Sequence, residues 1–304
     1  KTDEAVIFAN SSDGGETWST KYLHDANWQN TGSISIDAIN RSHIYLTFNN
    51  QTGPWLTYST DFGQTWDSKR ADTSNDQKGL DIEVLDENNI FIVYDDAGND
   101  VRVLNTSDGG DTWSEVEAWD SLTLNPYGIS TDVLNKSHIY IAAANFTNGD
   151  LVFIKSTDGG RNWINRSIYD NWGRDPIIKV VDENNIHIAF VDGSGTGDVY
   201  LTSTTDGGDT WNALPVTSSN QERYIDMDIL SNDIMFISYF NDSNDNLGIA
   251  KTIDGGSTWT HESIDTEGDV GRWTSIDAVG EDNVFIAYIN DDEDALRFAR
   301  TNVS

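Results

Sequence analysis

SSDGGETW, residues 11–18, returns five times along the chain: STDFGQTW (59–66), TSDGGDTW (106–113), STDGGRNW (156–163), TTDGGDTW (204–211) and TIDGGSTW (252–259). The aspartates at 13, 61, 108, 158, 206 and 254 stand 47 to 50 residues apart. A fixed period in this range marks supersecondary units whose apolar faces are covered by their neighbours. The chemistry inside each octapeptide is local. Gly-Gly supplies positive φ for a tight turn between two strands. The carboxylate accepts from N–H groups of its own turn, and the Trp buries a large ring between adjacent units. Two copies deviate: Phe62 replaces a glycine and Asn162 replaces the threonine.

Outward from the octapeptides, each unit holds three alternating apolar runs, such as 32–39, 43–50 and 55–60. A shorter fourth run follows each octapeptide, as at 114–119 and 165–169. These runs are rich in Ile, Val, Tyr and Phe and end at turn residues, so they read as strands. Four strands per unit and six units predict an all-β, six-bladed propeller with four antiparallel strands per blade. No linker interrupts the period, which predicts one domain over 1–304. The runs 4–10 (EAVIFAN) and 295–300 (ALRFAR) both read as third strands, giving seven third strands for six octapeptides. The expected closure joins first and second strands at 273–279 and 284–289 to N-terminal third and fourth strands, so that the two ends share a blade. The chain reads as part of a longer surface protein.

The octapeptides resemble the Asp-box (bacterial neuraminidase repeat) families, whose pattern is S/T-x-D-G-G-x-T-W, within the sialidase-like propellers. The match covers all six units. The resemblance implies that Asp13, Asp61, Asp108, Asp158, Asp206 and Asp254 are structural and lie on the face away from the ligand site. Propellers of this kind include sialidases, other glycosidases, sorting receptors, assembly factors and lectin-like modules, so fold does not choose the function.

Composition narrows the field. The chain has 51 acidic and 18 basic residues, a net charge of −33, which disfavours nucleic acid and anionic membranes as partners. No apolar run approaches transmembrane length, so no membrane insertion is expected within the chain, and any signal or anchor is expected beyond the 304 residues. There is no Cys for disulfides or thiolate metal sites. Acidic clusters at 95–96, 242–246 and 291–294 end the second strands. No motif requires a cofactor, and calcium is the cation such loops suit. Nine N-x-S/T sequons occur, at Asn10, Asn40, Asn50, Asn105, Asn135, Asn145, Asn165, Asn241 and Asn302. With the acidic surface they point to an extracellular or cell-surface glycoprotein.

The residue opening each innermost strand is Gly32, Lys78, Tyr127, Arg174, Arg223 or Arg272, so four of the eighteen basic residues share one slot. Convergent guanidinium groups there suit a carboxylate, phosphate or sulfate. Trp28, Trp119, Trp172 and Trp273 lie in or beside the loops feeding these strands, and Trp172 and Trp273 stand within two residues of an Arg. The candidate ligand-binding set is Arg174, Arg223, Arg272, Lys78, Tyr127, Trp172 and Trp273. It is similar to the arginine triad of sialidases, although Arg174-Asp175-Pro176 only resembles their Arg-Ile-Pro signature. That resemblance would make Tyr127 or Tyr224 the phenol and Glu222 its partner. The opposing expectation pairs Arg174 with Asp175, and Arg223 with Glu222 and Asp226. A second register, Asp37, Glu83, Asp132, Lys179, Asp228 and Asp277, either faces a channel or hydrogen-bonds neighbouring backbone. The five His show no metal-ligand spacing.

Three functions follow. The first is a recognition module binding glycans or a surface protein through the arginine-rimmed face. The second is an exo-acting glycoside hydrolase of sialidase type, with no catalytic residue assigned. The third is a structural unit of a cell-surface protein.

Overall fold

The computed structural model describes residues 5–25, 33–50, 53–72, 79–96, 98, 100–120, 128–145, 149–195, 197–218 and 222–301. The fold is an all-β, six-bladed propeller, with no helix among these residues. β1 (Ala5–Asn10) and β2 (Ser19–Asp25) form a two-stranded ribbon. Five four-stranded antiparallel sheets follow. They are β3 (Ile34–Ala38) to β6 (Asp67–Arg70) through β4 (Ile44–Asn50) and β5 (Gly53–Ser59); β7 (Leu80–Val84), β8 (Ile90–Asp95), β9 (Val101–Thr106) and β10 (Ser114–Trp119); β11 (Ile129–Asn135), β12 (His138–Asn145), β13 (Asp150–Ser156) and β14 (Ile164–Tyr169); β15 (Gly173–Val180), β16 (Ile186–Asp192), β17 (Val199–Thr204) and β18 (Asn212–Pro215); and β19 (Glu222–Ile229), β20 (Met235–Asn241), β21 (Asn246–Thr252) and β22 (Thr260–Asp265). A three-stranded sheet of β23 (Val270–Gly280), β24 (Asn283–Asn290) and β25 (Ala295–Thr301) ends the chain. Two compact units result, Lys1–Ile139 with Ile154–Asn165, and Tyr140–Phe153 with Arg166–Ser304.

Each octapeptide closes on itself as its residue types demand. In the first, Thr17 donates from its N–H (2.9 Å) and its Oγ1 (2.5 Å) to the Asp13 carboxylate, while Ser11 Oγ accepts the Gly15 N–H at 2.8 Å. Asn162 replaces threonine without loss, because its Nδ2 donates to Asp158 at 2.6 Å. These donors hold Asp13, Asp61, Asp108 and Asp158 at a pKa of about 2, and they lower those of Asp206 and Asp254 as well. The six carboxylates thus act within their own turns, in keeping with a structural role.

The second glycine of the turn has a further reason to be glycine. It lies against the third strand of the preceding blade: a Cβ at Gly63 would sit 2.5 Å from the Phe8 ring, and one at Gly256 2.8 Å from Leu201. The adjoining Trp packs in the same seam, with Trp66 4.9 Å from Phe8 and Trp211 4.9 Å from Phe153.

In the second register, Asp37 and Asp228 bond backbone. Asp37 accepts the Ala38 N–H with one oxygen and the Val84 N–H of the next blade with the other, at 2.6 and 2.7 Å. Asp228 does the same with Ile229 and Ala278, at 2.8 and 2.7 Å. Two residues upstream, Asp81 bridges Ile82 and Thr131, and Asp226 bridges Met227 and Ile276. Burial pushes up the pKa of Asp226, and burial beside Asp228 does so for Asp277, with Lys179 opposing both shifts.

The closure differs from expectation. β24 pairs with β25, in unbroken register from Val284↔Thr301 to Asn290↔Ala295, and β1 pairs only with β2 among the described residues. The terminal strands therefore do not share a sheet as expected. The run 295–300 follows β24 after a four-residue turn, and hairpin formation with its own neighbour gives it the third position.

Gly256→Ala is expected to destabilise the fold by about 2–3 kcal/mol, because a Cβ meets both a φ of +84° and the Leu201 side chain. Gly280→Ala, where nothing lies within 4 Å, is expected to be neutral. Urea midpoints of the two variants check this.

Candidate functional site

Strand register separates the two ends of each blade. In the β15–β18 sheet Arg174 lies opposite Val191, whereas Val180 pairs with Ile186 and Ile186 with Thr204, which opens an octapeptide. The arginine and the octapeptide thus occupy opposite ends of one sheet. The same holds for Arg223, opposite Phe240. Arg272, opposite Ile289, takes the corresponding position in the β23–β25 sheet, which carries no octapeptide.

A bulge follows each of these arginines. The register shifts between Arg174 and Ile177, between Arg223 and Asp226, and between Arg272 and Ser275. The residue immediately after the arginine has positive φ in all three: Asp175 at 49°, Tyr224 at 51° and Trp273 at 46°. Such values are rare for a bulky residue and mark sites where surrounding packing over-determines the backbone. A bulge also re-aims the side chains beside it. Tyr224 and Trp273, one blade apart, meet with ring centroids 4.8 Å apart, and Trp273 stays 60 % exposed. Trp172, two residues before Arg174, is 40 % exposed and has a φ of 60°.

The three arginines differ in what they hold. Arg272 is consumed: Nε and Nη2 donate to Asp269 at 3.1 and 3.0 Å, Asp291 lies 3.0 Å away, and the guanidinium stacks 4.6 Å above Phe240. These carboxylates raise its pKa further. Arg223 reaches only Asp242, at 3.5 Å, and its side chain is 53 % exposed. Arg174 makes no hydrogen bond or ion pair with a described residue, and its Nε is buried without a partner.

One column of residues explains the difference. Two places beyond the strand partner of each arginine stand Gly193, Asp242 and Asp291. The turn that supplies an aspartate to Arg223 and Arg272 supplies glycine to Arg174. The arginine fills the vacated space, since a Cβ at 193 would lie 2.6 Å from its Nε. Asp175 shares this region: burial raises its pKa to about 6, against the pull of Arg174 and Arg223.

The expected internal pairings are therefore corrected. Asp226 spends its carboxylate on backbone N–H groups, and Glu222 accepts from Thr217 Oγ1 at 2.9 Å. Burial pushes up the Glu222 pKa. Neither pairs with Arg223, and Glu222 does not meet Tyr224 as a sialidase pair would. Lys78, Tyr127, Gly32 and Trp28 lie outside the described residues. The acidic loops hold arginines: Asp96, Asp242 and Asp291 bind Arg102, Arg223 and Arg272. No cluster of three or more His, Asp or Glu suited to a metal ion occurs among the described residues. Sequence reasoning missed Asp242, Asp291 and Gly193 as a column, although aligning the second strands displays it.

The family model for a BNR repeat-like domain matches residues 43–172. Over these residues the chain is similar to BNR repeat-like domains. No curated protein matches it in sequence. Among solved structures it is similar to the SapL1 lectin in complex with alpha methyl fucoside, at 12 % identity and a TM-score of 0.61, covering 91 % of this chain and 98 % of that one. It is similar to the Hadza microbial sialidase Hz136, at 15 % identity and a TM-score of 0.60, covering 90 % and 65 %. YCF48 bound to D1 peptide aligns at 16 % identity and a TM-score of 0.51, covering 91 % and 96 %. Likenesses at these identities establish the propeller fold and leave its function to the site.

The raised Asp175 pKa sets a pH dependence. The folded state binds a proton that the unfolded chain, at about 3.8, has released, so stability declines as pH rises from about 4 to 6. Asp175→Asn is expected to flatten that limb and to stabilise the fold by up to about 2–3 kcal/mol at pH 8. Urea unfolding of both proteins between pH 4 and 8 measures it.

Proposed function

We propose that this propeller is an extracellular recognition module that binds a glycan through the end of its blades carrying Arg174, Arg223 and Arg272, with Trp172, Tyr224 and Trp273 beside them. The observation that carries the reading is the Tyr224–Trp273 pair. Two bulky aromatics are held at positive φ on successive bulges; the Trp273 ring is left largely open to solvent, and its partner Tyr224 directly follows the exposed Arg223. An aromatic face of this kind stacks on a sugar ring, and neighbouring guanidinium groups supply donors for its hydroxyls or an acidic substituent. The lectin and sialidase likenesses agree with a carbohydrate ligand, and the peptide-bound YCF48 likeness keeps a protein partner as the second reading. Hydrolysis is disfavoured by the commitment of Glu222 to Thr217 and of Asp226 to backbone. The exposed sequon residues Asn40, Asn135 and Asn165 fit a secreted setting.

A glycan array probed with wild type and Trp273→Ala tests the proposal. Binding by wild type, weakened about tenfold or more in the variant, is the expected result. Release of fluorophore from a fluorogenic sialoside by wild type would replace the reading with that of a hydrolase. Binding of neither kind would leave a structural unit.

A further inference from the structure

A second site lies at the other end of the blades. Near the end of the third strand, in five of the sheets, one residue faces an aromatic or imidazole ring on the second strand. In most blades that slot is filled. Tyr58 stacks on Tyr45 with centroids 6.1 Å apart. Lys251 crosses Phe236 at 5.7 Å, and its Nζ reaches the Glu281 carbonyl of the next blade. Arg300 lies 5.6 Å over Phe285. Where the residue is Ser203, His187 closes the gap, its ring nitrogens 2.8 Å from Ser203 Oγ and 3.1 Å from Asn232 Oδ1 of the next blade.

In the β7–β10 blade the slot residue is Asn105, opposite Phe91. A carboxamide is too short to span the seam, and a cleft of about 350 Å³ remains, within the range of small-ligand sites. Trp113 forms one wall, and its Nε1 is buried without a partner, as is that of Trp259, whereas Trp66 and Trp163 donate to their glycine carbonyls at 3.0 Å. Lys136 of the next blade stands at the mouth, and its ammonium makes no hydrogen bond or ion pair with a described residue. Asp86 is near enough for Lys136 to favour its ionised form, but it is turned toward Asn88 and Asn89. No carboxylate lines the cleft, in a chain of net charge −33. Asn89 and four serine and threonine residues complete the lining.

We propose that this cleft binds a hexose-sized, hydroxyl-rich ligand bearing one oxyanion, with the ring against Trp113 and Phe91, hydroxyls on Asn105, and the anion on Lys136. The site is separate from the arginine-bearing end and does not depend on glycan binding there. Lysine meets phosphate or sulfate as a point charge, so both anions are probed.

Calorimetric titration with glucose 6-phosphate, glucose 6-sulfate and glucose tests it. Binding of at least one anionic sugar is expected, at least several-fold tighter than glucose. Asn105→Tyr copies Tyr58 and fills the cleft, so it should weaken binding by about tenfold or more, with circular dichroism and melting temperature unchanged. Lys136→Gln should weaken the anionic sugar and leave glucose as it was. Arg166, which pairs with Asp209, does not line the cleft, and Arg166→Gln should bind as wild type. No heat with either anionic sugar, or binding indifferent to Asn105→Tyr, overturns the site. Equal binding of glucose and the anionic sugars overturns the role of Lys136.

Discussion

A carboxylate shared between two backbones sets the geometry on which everything else rests. The innermost strand of a blade is a sheet edge, and its unpaired N–H groups would be costly to bury. Asp37, Asp81, Asp226 and Asp228 answer this at 47- or 50-residue offsets, each with one oxygen on its own strand and the other on the next. Because each oxygen takes a different strand, the bond fixes register between blades as well as distance. Glycine in the octapeptide does the same work at a different radius, letting one blade's turn close onto the third strand of the blade before it. With both contacts in place, little freedom remains in how neighbouring blades meet.

The arginine-bearing end is built on that register. Arg223 lies three residues upstream of the bridging Asp226, and Arg272 four upstream of Ile276, whose N–H receives that bridge. The bulge falls in this short interval. Downstream the strand must stay in step with its neighbour, while upstream it is free to swing. The positive φ at Asp175, Tyr224 and Trp273 is where the two demands meet. Strain of this kind is tolerated because the bridge cannot slip.

Much of this was legible in sequence, for reasons of range. The octapeptide could be read because its hydrogen bonds join residues at most four apart. The arginine slot could be read because strand alignment exposes a column. Closure was not legible: whether 295–300 pairs with its own hairpin partner or yields to a distant N-terminal strand is decided by chain proximity, and the apolar pattern is the same either way. The state of each arginine was also hidden. It depends on turn residues at 193, 242 and 291, about nineteen positions away, and on whether Asp226 is spent on backbone, which no local pattern announces. The cleft at Asn105 needed two facts together, a short residue in one blade and Lys136 in the next.

The repeat explains why both candidate sites arise by subtraction. The filled slots recur from sheet to sheet: an aspartate beside Arg223 and Arg272, and a long or bridging side chain near the end of most third strands. Gly193 omits the first and frees Arg174; Asn105 omits the second and opens the seam beside Trp113. In a repetitive fold a buried polar group without its partner is conspicuous, because the neighbouring blades show how that partner would have been supplied. Such an omission leaves the apolar seams between blades untouched and exposes one donor or one ring. A six-fold scaffold can therefore acquire a single asymmetric site without disturbing the contacts that hold its blades in register.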